Sequence, residues 1–182
     1  MAMVGLFWIA EGDVYVGAKP SGLAAGVRLT PEGIVALGDK QSGFYPWDEV
    51  SALTVEDVPV KSLKGQGAVL LKSVKRQVVT LVDLALTVGL GGADEAPLMT
   101  VRLASPSGET ELAAYIAATA AGYSQTEYDL SQTLLTRMTQ GEATLRTTLA
   151  TMAQWGRARE GGSPRAADRE RLLREWTDGG AA

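Results

Sequence analysis

The sequence VRLTPEGIVALGDKQSGFYPWDEVSALTVED, residues 27–57, carries the clearest strand and turn signals in the chain. Its apolar runs VRLT and IVAL flank the segment TPEG at 30–33. Pro31 suits the second position of a tight turn, and Gly33 can adopt the positive φ that such turns often need. These residues predict a β-hairpin.

An aromatic cluster follows the hairpin. Phe44, Tyr45 and Trp47 fall within a few residues of one another, and Pro46 prevents them from forming a continuous central strand because it lacks a backbone N–H. Trp47 is expected to anchor the core, with a ligand contact as the alternative. Residues 51–57 then alternate apolar and polar side chains, which predicts a further strand.

The hairpin and the tryptophan segment together resemble the bacterial pleckstrin-homology-like (PH-like) and GRAM-like families. In these families a T-x-x-G-[IL] turn is followed by a P-W-x-x-[IV] segment, and the matching residues here are Thr30, Gly33, Ile34, Pro46, Trp47 and Val50. The resemblance implies an α+β fold, a bent antiparallel β half-barrel of about seven strands closed at one end by a C-terminal helix. PH domains that bind phosphoinositides place several basic residues in the first loop, whereas the loop at 18–26 carries Lys19 alone.

Composition limits the chemistry that the chain can perform. The 182 residues, of which 46% are hydrophobic, suit one main domain with an appendage. The chain contains no cysteine and no histidine, which excludes disulfides, thiolate metal sites and imidazole general bases. We therefore expect a non-enzymatic protein with no metal, no cofactor and no nucleic-acid partner. The residue usage is typical of bacteria, and the N-terminus does not resemble a signal peptide, so a cytoplasmic location is expected.

Three further segments have readable patterns. Residues 4–17 predict a first strand or hairpin. Residues 61–80 repeat apolar side chains at helical spacing and predict a short inserted helix, although the valines there would also suit a strand. Strands are then expected at 84–90, 98–103 and 109–112, and the alanine-rich segment 112–121 is expected to be the closing helix of the PH-like domain.

The remainder of the chain is expected to be helical, which gives three parts: a PH-like domain at 1–122, one long amphipathic helix at 123–159, and a flexible break with a short helix at 160–182. Ser124 and Glu127 have the spacing of a capping box. A narrow apolar stripe follows, and such a helix needs a partner surface, either its own barrel or another chain. The predicted contacts for a partner helix are Leu134, Met138, Leu145, Leu149, Met152 and Trp176. Trp176 is equally consistent with docking on its own domain.

Two functions are consistent with these patterns. The first is a binding or scaffold module whose C-terminal helices mediate protein–protein interaction or self-association. The alternative is a peripheral membrane protein that contacts anionic lipid through the basic segment 61–80. The candidate anionic-surface contacts are Lys61, Lys64, Lys72, Lys75 and Arg76. The alternative to membrane contact is that these five residues form a solvated basic face that complements the acidic remainder of the molecule.

Overall fold

The structure, a computed structural model, describes residues 1–61, 69–72, 97–118, 122–159 and 161–179, with the backbone alone at 69–72 and at position 142. It is an α+β fold in which antiparallel sheets precede three helices. No helix in these ranges is both long and apolar enough to cross a bilayer.

The first sheet is a six-stranded antiparallel meander whose spatial order follows the chain order. Its strands are β1 (Ala2–Val4), β2 (Phe7–Ala10), β3 (Asp13–Val16), β4 (Gly26–Leu29), β5 (Gly33–Leu37) and β6 (Gly43–Pro46). The predicted hairpin is confirmed, because β4 and β5 pair across the TPEG turn with Leu29 opposite Ile34. The edge strand β6 ends at Pro46, as expected of a residue that cannot donate a backbone hydrogen bond.

The second sheet has three strands in the order β11, β10, β7. These are β7 (Ala52–Glu56), β10 (Leu98–Ser105) and β11 (Gly108–Tyr115). The predicted strand at 51–57 is confirmed, with Leu53 and Val55 buried in the core. A two-stranded ribbon is formed by β8 (Val58–Lys61) and β9 (Val69–Lys72).

The helices are α1 (Gln125–Met138), α2 (Glu142–Ala158) and α3 (Ala166–Thr177). The capping box is confirmed: the Ser124 hydroxyl accepts a hydrogen bond from the Glu127 backbone N–H at 3.0 Å, and the Ser124 N–H donates to the Glu127 carboxylate at 3.2 Å. The expected single helix at 123–159 is wrong, because the helix stops at Met138 and a new one starts after Gly141. Gly141 is extended there (φ 173°), and glycine costs a helix interior about 1 kcal/mol relative to alanine.

The β-architecture also differs from the expectation. The described residues form eleven strands rather than about seven, neither sheet is closed, and the PH-like half-barrel is not confirmed. The closing helix expected at 112–121 is wrong, because β11 continues to Tyr115 and pairs with β10 along its whole length. Leu112 and Ala114 are buried while Ala113 and Tyr115 are partly exposed, so the two-residue period of a half-buried strand outweighs the helix propensity of alanine.

The inserted helix expected at 61–80 is wrong where the chain is described. Residues 69–72 form β9, which pairs with β8 so that Lys72 lies opposite Val58. The rest of that segment, the strand expected at 84–90, and residues 119–121 lie outside the described residues.

The core lies between the first sheet and the elements that cover it. One apolar cluster includes side chains of β1–β5, β7, β8, β10, β11 and all three helices. The approach of α2 to β2 is close, since a Cβ placed on Gly156 would lie 2.3 Å from the Ile9 Cγ2 atom. Glycine at this position therefore lets the helix pack directly on the sheet.

On each free edge of the second sheet, one residue has its backbone paired with a glutamine side chain. At the β11 edge, the Gln41 amide nitrogen donates to the Ala113 carbonyl at 2.7 Å, and its oxygen accepts from the Ala113 N–H at 2.7 Å. At the β7 edge, Gln132 makes the same pair of contacts with Val55, at 2.6 and 3.2 Å. Each side chain satisfies backbone groups that a neighbouring strand would otherwise pair with, which protects edges that are prone to aggregation.

Candidate binding cleft

The residues predicted to contact a partner helix lie in the interior of this chain. Leu134, Met138, Leu145, Leu149, Met152 and Trp176 are each at most 4% exposed. They belong to the same apolar cluster as the strands. The prediction of a partner-helix contact is therefore wrong for these six side chains, and the intramolecular alternative is the one observed, because α1 and α2 pack on the chain's own sheets.

Helix α3 is fastened to the domain by aromatic and ionic contacts. The Trp176 ring meets the Trp155 ring edge to face, with centroids 5.7 Å apart and planes at 77°. Arg169 forms a bidentate ion pair with the Glu127 carboxylate, and the Arg169 Nη2 lies 3.3 Å from the Glu127 Oε2. Ser124 adds a hydrogen bond of 3.1 Å to Glu170. These contacts explain why Trp176 is buried rather than displayed as an anchor for another protein.

The residues predicted to contact an anionic surface are described only in part. Lys61 is exposed at the end of β8, and the Lys72 backbone lies in β9. Lys64, Lys75 and Arg76 lie outside the described residues. The anionic-surface contact stays a prediction.

A cleft of about 640 Å³ lies where the TPEG turn and the Trp47 segment face the junction of α1 and α2. We call it the Trp47 cleft. Its described lining residues are Pro31, Glu32, Trp47, Asp48, Val50, Met138, Thr139, Gln140, Gly141, Leu145 and Arg146. The break between α1 and α2 thus supplies one wall, and the most recognisable sequence motif supplies the other.

The position of Trp47 in the cleft is set by hydrogen bonds. Its indole N–H donates to the Thr30 carbonyl at 2.7 Å. The Thr30 hydroxyl in turn donates to the Gly33 carbonyl at 2.8 Å and accepts from the Gly33 N–H at 3.1 Å. The ring is half-buried and packs against the core. The expectation that Trp47 anchors the core is confirmed, and its remaining surface forms part of the cleft wall.

The floor of the cleft is apolar and its rim is charged. Val50, Met138 and Leu145 are buried at its base. Glu32 and Asp48 are exposed on the side of Trp47, and neither carboxylate forms a salt bridge or hydrogen bond within the described residues.

Groups with a displaced pKa lie elsewhere in the molecule. Burial raises the pKa of Tyr123 to about 12, and burial also raises the pKa of Tyr128 and of Tyr15. The hydrogen bond that the Arg102 guanidinium donates to the Glu111 carboxylate raises the pKa of Arg102. None of the four lines the Trp47 cleft. Across the described ranges, no three acidic side chains converge in a way that would hold a metal ion.

No family model, curated protein or solved structure matches this chain. The arguments that follow therefore depend on the chain's own residues.

Sequence reasoning identified Trp47 but missed its neighbours. Glu32 and Asp48 lie within the same segment, one in the hairpin turn and one beside the tryptophan. Two acidic residues next to motif positions were a usable signal. The sequence carried no such signal for the opposite wall, because Met138 and Leu145 belong to an apolar helical stripe that was expected to face a partner or the barrel.

Proposed function

We propose that this protein is a non-enzymatic binding module that holds a basic segment of a protein partner in the Trp47 cleft. The observation that carries the proposal is an indole fixed by a hydrogen bond of 2.7 Å, flanked by two carboxylates without ion-pair partners in the described structure, above an apolar floor. A PH-like fold and a cytoplasmic location are parts of the same proposal. The resemblance is supported by the hairpin and the Trp47 segment, which form as expected.

The chemistry of the cleft favours a cationic side chain. A guanidinium or ammonium group over the face of a tryptophan gains about 0.5 to 2 kcal/mol, depending on how well it is desolvated. Glu32 and Asp48 lie on the wall that contains this ring, so they would add electrostatic attraction to the same group. An acidic group on the Trp47 side would instead meet two carboxylates, whereas Arg146 supplies a positive charge on the opposite, helical wall.

The apolar floor of the cleft favours an apolar residue in the partner segment. Val50, Met138 and Leu145 bring apolar side chains to the base of the cleft. An apolar residue next to the basic one would cover this floor and remove it from water, at about 25 cal/mol per Å². The expected ligand is thus a short segment that combines an arginine or lysine with an aliphatic or aromatic neighbour.

The C-terminal helices keep a role in this proposal, although a different one. Their apolar stripe stabilises the domain, and the α1–α2 junction contributes one wall of the cleft. The module would serve as an adaptor whose partner is bound by the domain and its helices together.

The test is a selection of random heptapeptides displayed on phage against the full chain, followed by fluorescence anisotropy with the enriched peptides. We expect a consensus that contains arginine or lysine beside an apolar residue. The double variant Glu32→Gln/Asp48→Asn should weaken binding by about tenfold, since two partly desolvated charge contacts are lost. Both residues are exposed without a described ion pair, so the variant should fold normally.

The matched control is Glu49→Gln, which removes a neighbouring exposed carboxylate that does not line the cleft. It should change affinity less than twofold at fixed ionic strength. An acidic consensus, a selection without enrichment, or equal weakening by Glu49→Gln and by the double variant would contradict the proposal.

A further inference from the structure

A second cavity, of about 240 Å³, is lined by residues of all three helices. Helix α2 lines it with four threonines at the spacing of one helix face, which are Thr144, Thr147, Thr148 and Thr151. The end of α1 contributes Arg137, and the end of α3 contributes Trp176. We call it the threonine cavity. It shares no described lining residue with the Trp47 cleft, so the inference below is independent of the proposed function.

Arg137 is the single charged residue among the described residues that line this cavity. Its guanidinium lies beside Gly179, with Nη2 3.9 Å from the position that a Cβ on Gly179 would occupy. In the described part of the chain this guanidinium forms no salt bridge and donates no hydrogen bond. The exposed carboxylates of Glu175 in α3 and of Asp178 just after it do not line the cavity. The cavity therefore presents a guanidinium without a carboxylate partner in the described part of the chain, placed in the last turn of α1, where a positive charge also complements the negative end of that helix.

Thr148 provides the independent observation. The residue is 95% buried, since its exposed fraction is 5%, and its hydroxyl has no hydrogen-bond partner among the described residues. The neighbouring hydroxyls are occupied: Thr147 donates to the Ala143 carbonyl and Thr151 to the Thr147 carbonyl, both at 2.9 Å. The hydroxyl oxygen itself is not among the fully enclosed unpaired side-chain atoms of the described residues, which are the Nε1 of Trp8 and the Nε atoms of Arg28 and Arg102, so it stays accessible to water or to a guest. Because Thr148 lines the cavity, a guest there can accept the missing hydrogen bond.

The start of α2 adds a third favourable feature. The N-cap residue, Gly141, has no side chain to cap the helix, so the N–H groups of the first turn lack the usual partner. Ala143 and Thr144, both in that turn, line the cavity. The positive end of the helix dipole therefore lies at this side of the cavity, where it favours an anion.

We propose that the threonine cavity binds a small oxyanion of the phosphate class, either the free ion or the phosphoryl group of a small metabolite. The Arg137 guanidinium and the Thr148 hydroxyl donate hydrogen bonds to its oxygens. The Trp176 ring forms part of the wall that surrounds it. The cavity is larger than a phosphate ion needs, which leaves room for a small organic group beside the threonines.

The experiment uses the full chain labelled with ¹⁵N and follows the four tryptophan indole N–H signals. Inorganic phosphate, sulfate and glycerol phosphate are titrated separately while sodium chloride holds the ionic strength constant. We expect a saturable shift of the Trp176 signal and no shift of the Trp8 signal. Tighter binding of glycerol phosphate than of inorganic phosphate would support the metabolite as the source, and equal binding would support the free ion.

Two variants test the donors, and one serves as a control. Arg137→Gln should weaken binding by about tenfold, because a charge-assisted hydrogen bond is lost. Thr148→Val keeps the shape of the side chain and should weaken binding by about threefold. Arg165→Gln removes the same charge at the opposite end of α3 and should leave the affinity unchanged. A shift that never saturates, an equal response to chloride, or equal weakening by Arg165→Gln would overturn the proposal, and thermal unfolding checks that each variant is folded.

Discussion

The Gln41 side chain is the best place to test how the two sheets are joined. Its amide nitrogen contacts the carbonyl oxygens of Gly26, Leu37 and Ala113 at 3.2, 3.1 and 2.7 Å, and its oxygen accepts from the Ala113 N–H at 2.7 Å. Gly26 and Leu37 belong to the first sheet, whereas Ala113 lies on the free edge of the second. One side chain thus connects two strands of the first sheet to Ala113, which lies 72 residues after Gln41 in the sequence.

The variant Gln41→Met removes these hydrogen bonds while keeping a side chain of similar length. A net hydrogen bond contributes about 1 kcal/mol, and a buried group left without a partner costs more. Gln41 is half-buried, so water can replace part of what is lost. We expect the free energy of unfolding to fall by about 2 to 3 kcal/mol, with a fall in melting temperature of about 4 to 12 °C for a chain of this length.

The assay is urea unfolding followed by far-ultraviolet circular dichroism, with the slope against urea fitted freely. The control is Gln154→Met on the exposed face of α2, which should change the free energy by less than about 0.5 kcal/mol. If Gln41→Met is no more destabilising than Gln154→Met, the Gln41 amide does not hold the sheets together and the reasoning fails.

A second variant, Gln41→Glu, tests the orientation of the amide. It replaces the donor by a carboxylate that faces three carbonyl oxygens, so the folded state disfavours the ionised form and raises the pKa of the new carboxyl group. The folded state then binds a proton more tightly than the unfolded state. The variant should therefore regain stability relative to the wild type as the pH falls. If the free energy of unfolding changes with pH in the same way in both proteins, the Gln41 amide nitrogen does not face these carbonyl oxygens.

Two further predictions concern buried polar groups. Glu127→Gln leaves the Arg169 guanidinium, whose side chain is 16% exposed, without its counter-charge. The free energy of unfolding measured in urea should therefore fall by about 3 kcal/mol, and trypsin should cut α3 faster. The exposed control Glu175→Gln should change neither the free energy nor the rate of cleavage. Burial raises the pKa of Tyr123 to about 12, so the stability that this group contributes is complete below about pH 10 and is lost as the pH rises through about 12. Tyr123→Phe should flatten the decline of stability measured by urea unfolding over this range, and identical slopes in the two proteins would contradict it.

Features set by a few neighbouring residues were predictable. The TPEG turn, the strand at 51–57, the Ser124–Glu127 capping box and the break before α3 all form as the sequence indicates, although Gly33 begins β5 without adopting a positive φ. Each depends on local rules, such as the φ that proline prefers or the reach of a serine side chain to the third backbone N–H. The Trp47 anchor belongs with them, since its hydrogen-bond partner is the nearby turn.

The errors share a different cause. The alanine-rich segment at 112–115 has helix propensity, but pairing with β10 makes it a strand. The amphipathic segment 123–159 was expected to be one helix, but it divides at Gly141 so that both halves pack on the sheets. Propensity differences of less than about 1 kcal/mol per residue cannot compete with strand pairing and core burial.

The candidate sites show the same division. The sequence by itself excluded thiolate and imidazole chemistry, because the chain contains no cysteine and no histidine. It also determined the turn and strands that place Trp47 at the surface of the core. Only the tertiary structure decided that the helical stripe faces inward, that Glu32 and Asp48 oppose the α1–α2 junction, and that Arg137 and Thr148 line one cavity. The physical reason is that burial and the pairing of charges depend on residues distant in sequence, and no local pattern encodes which of them will meet.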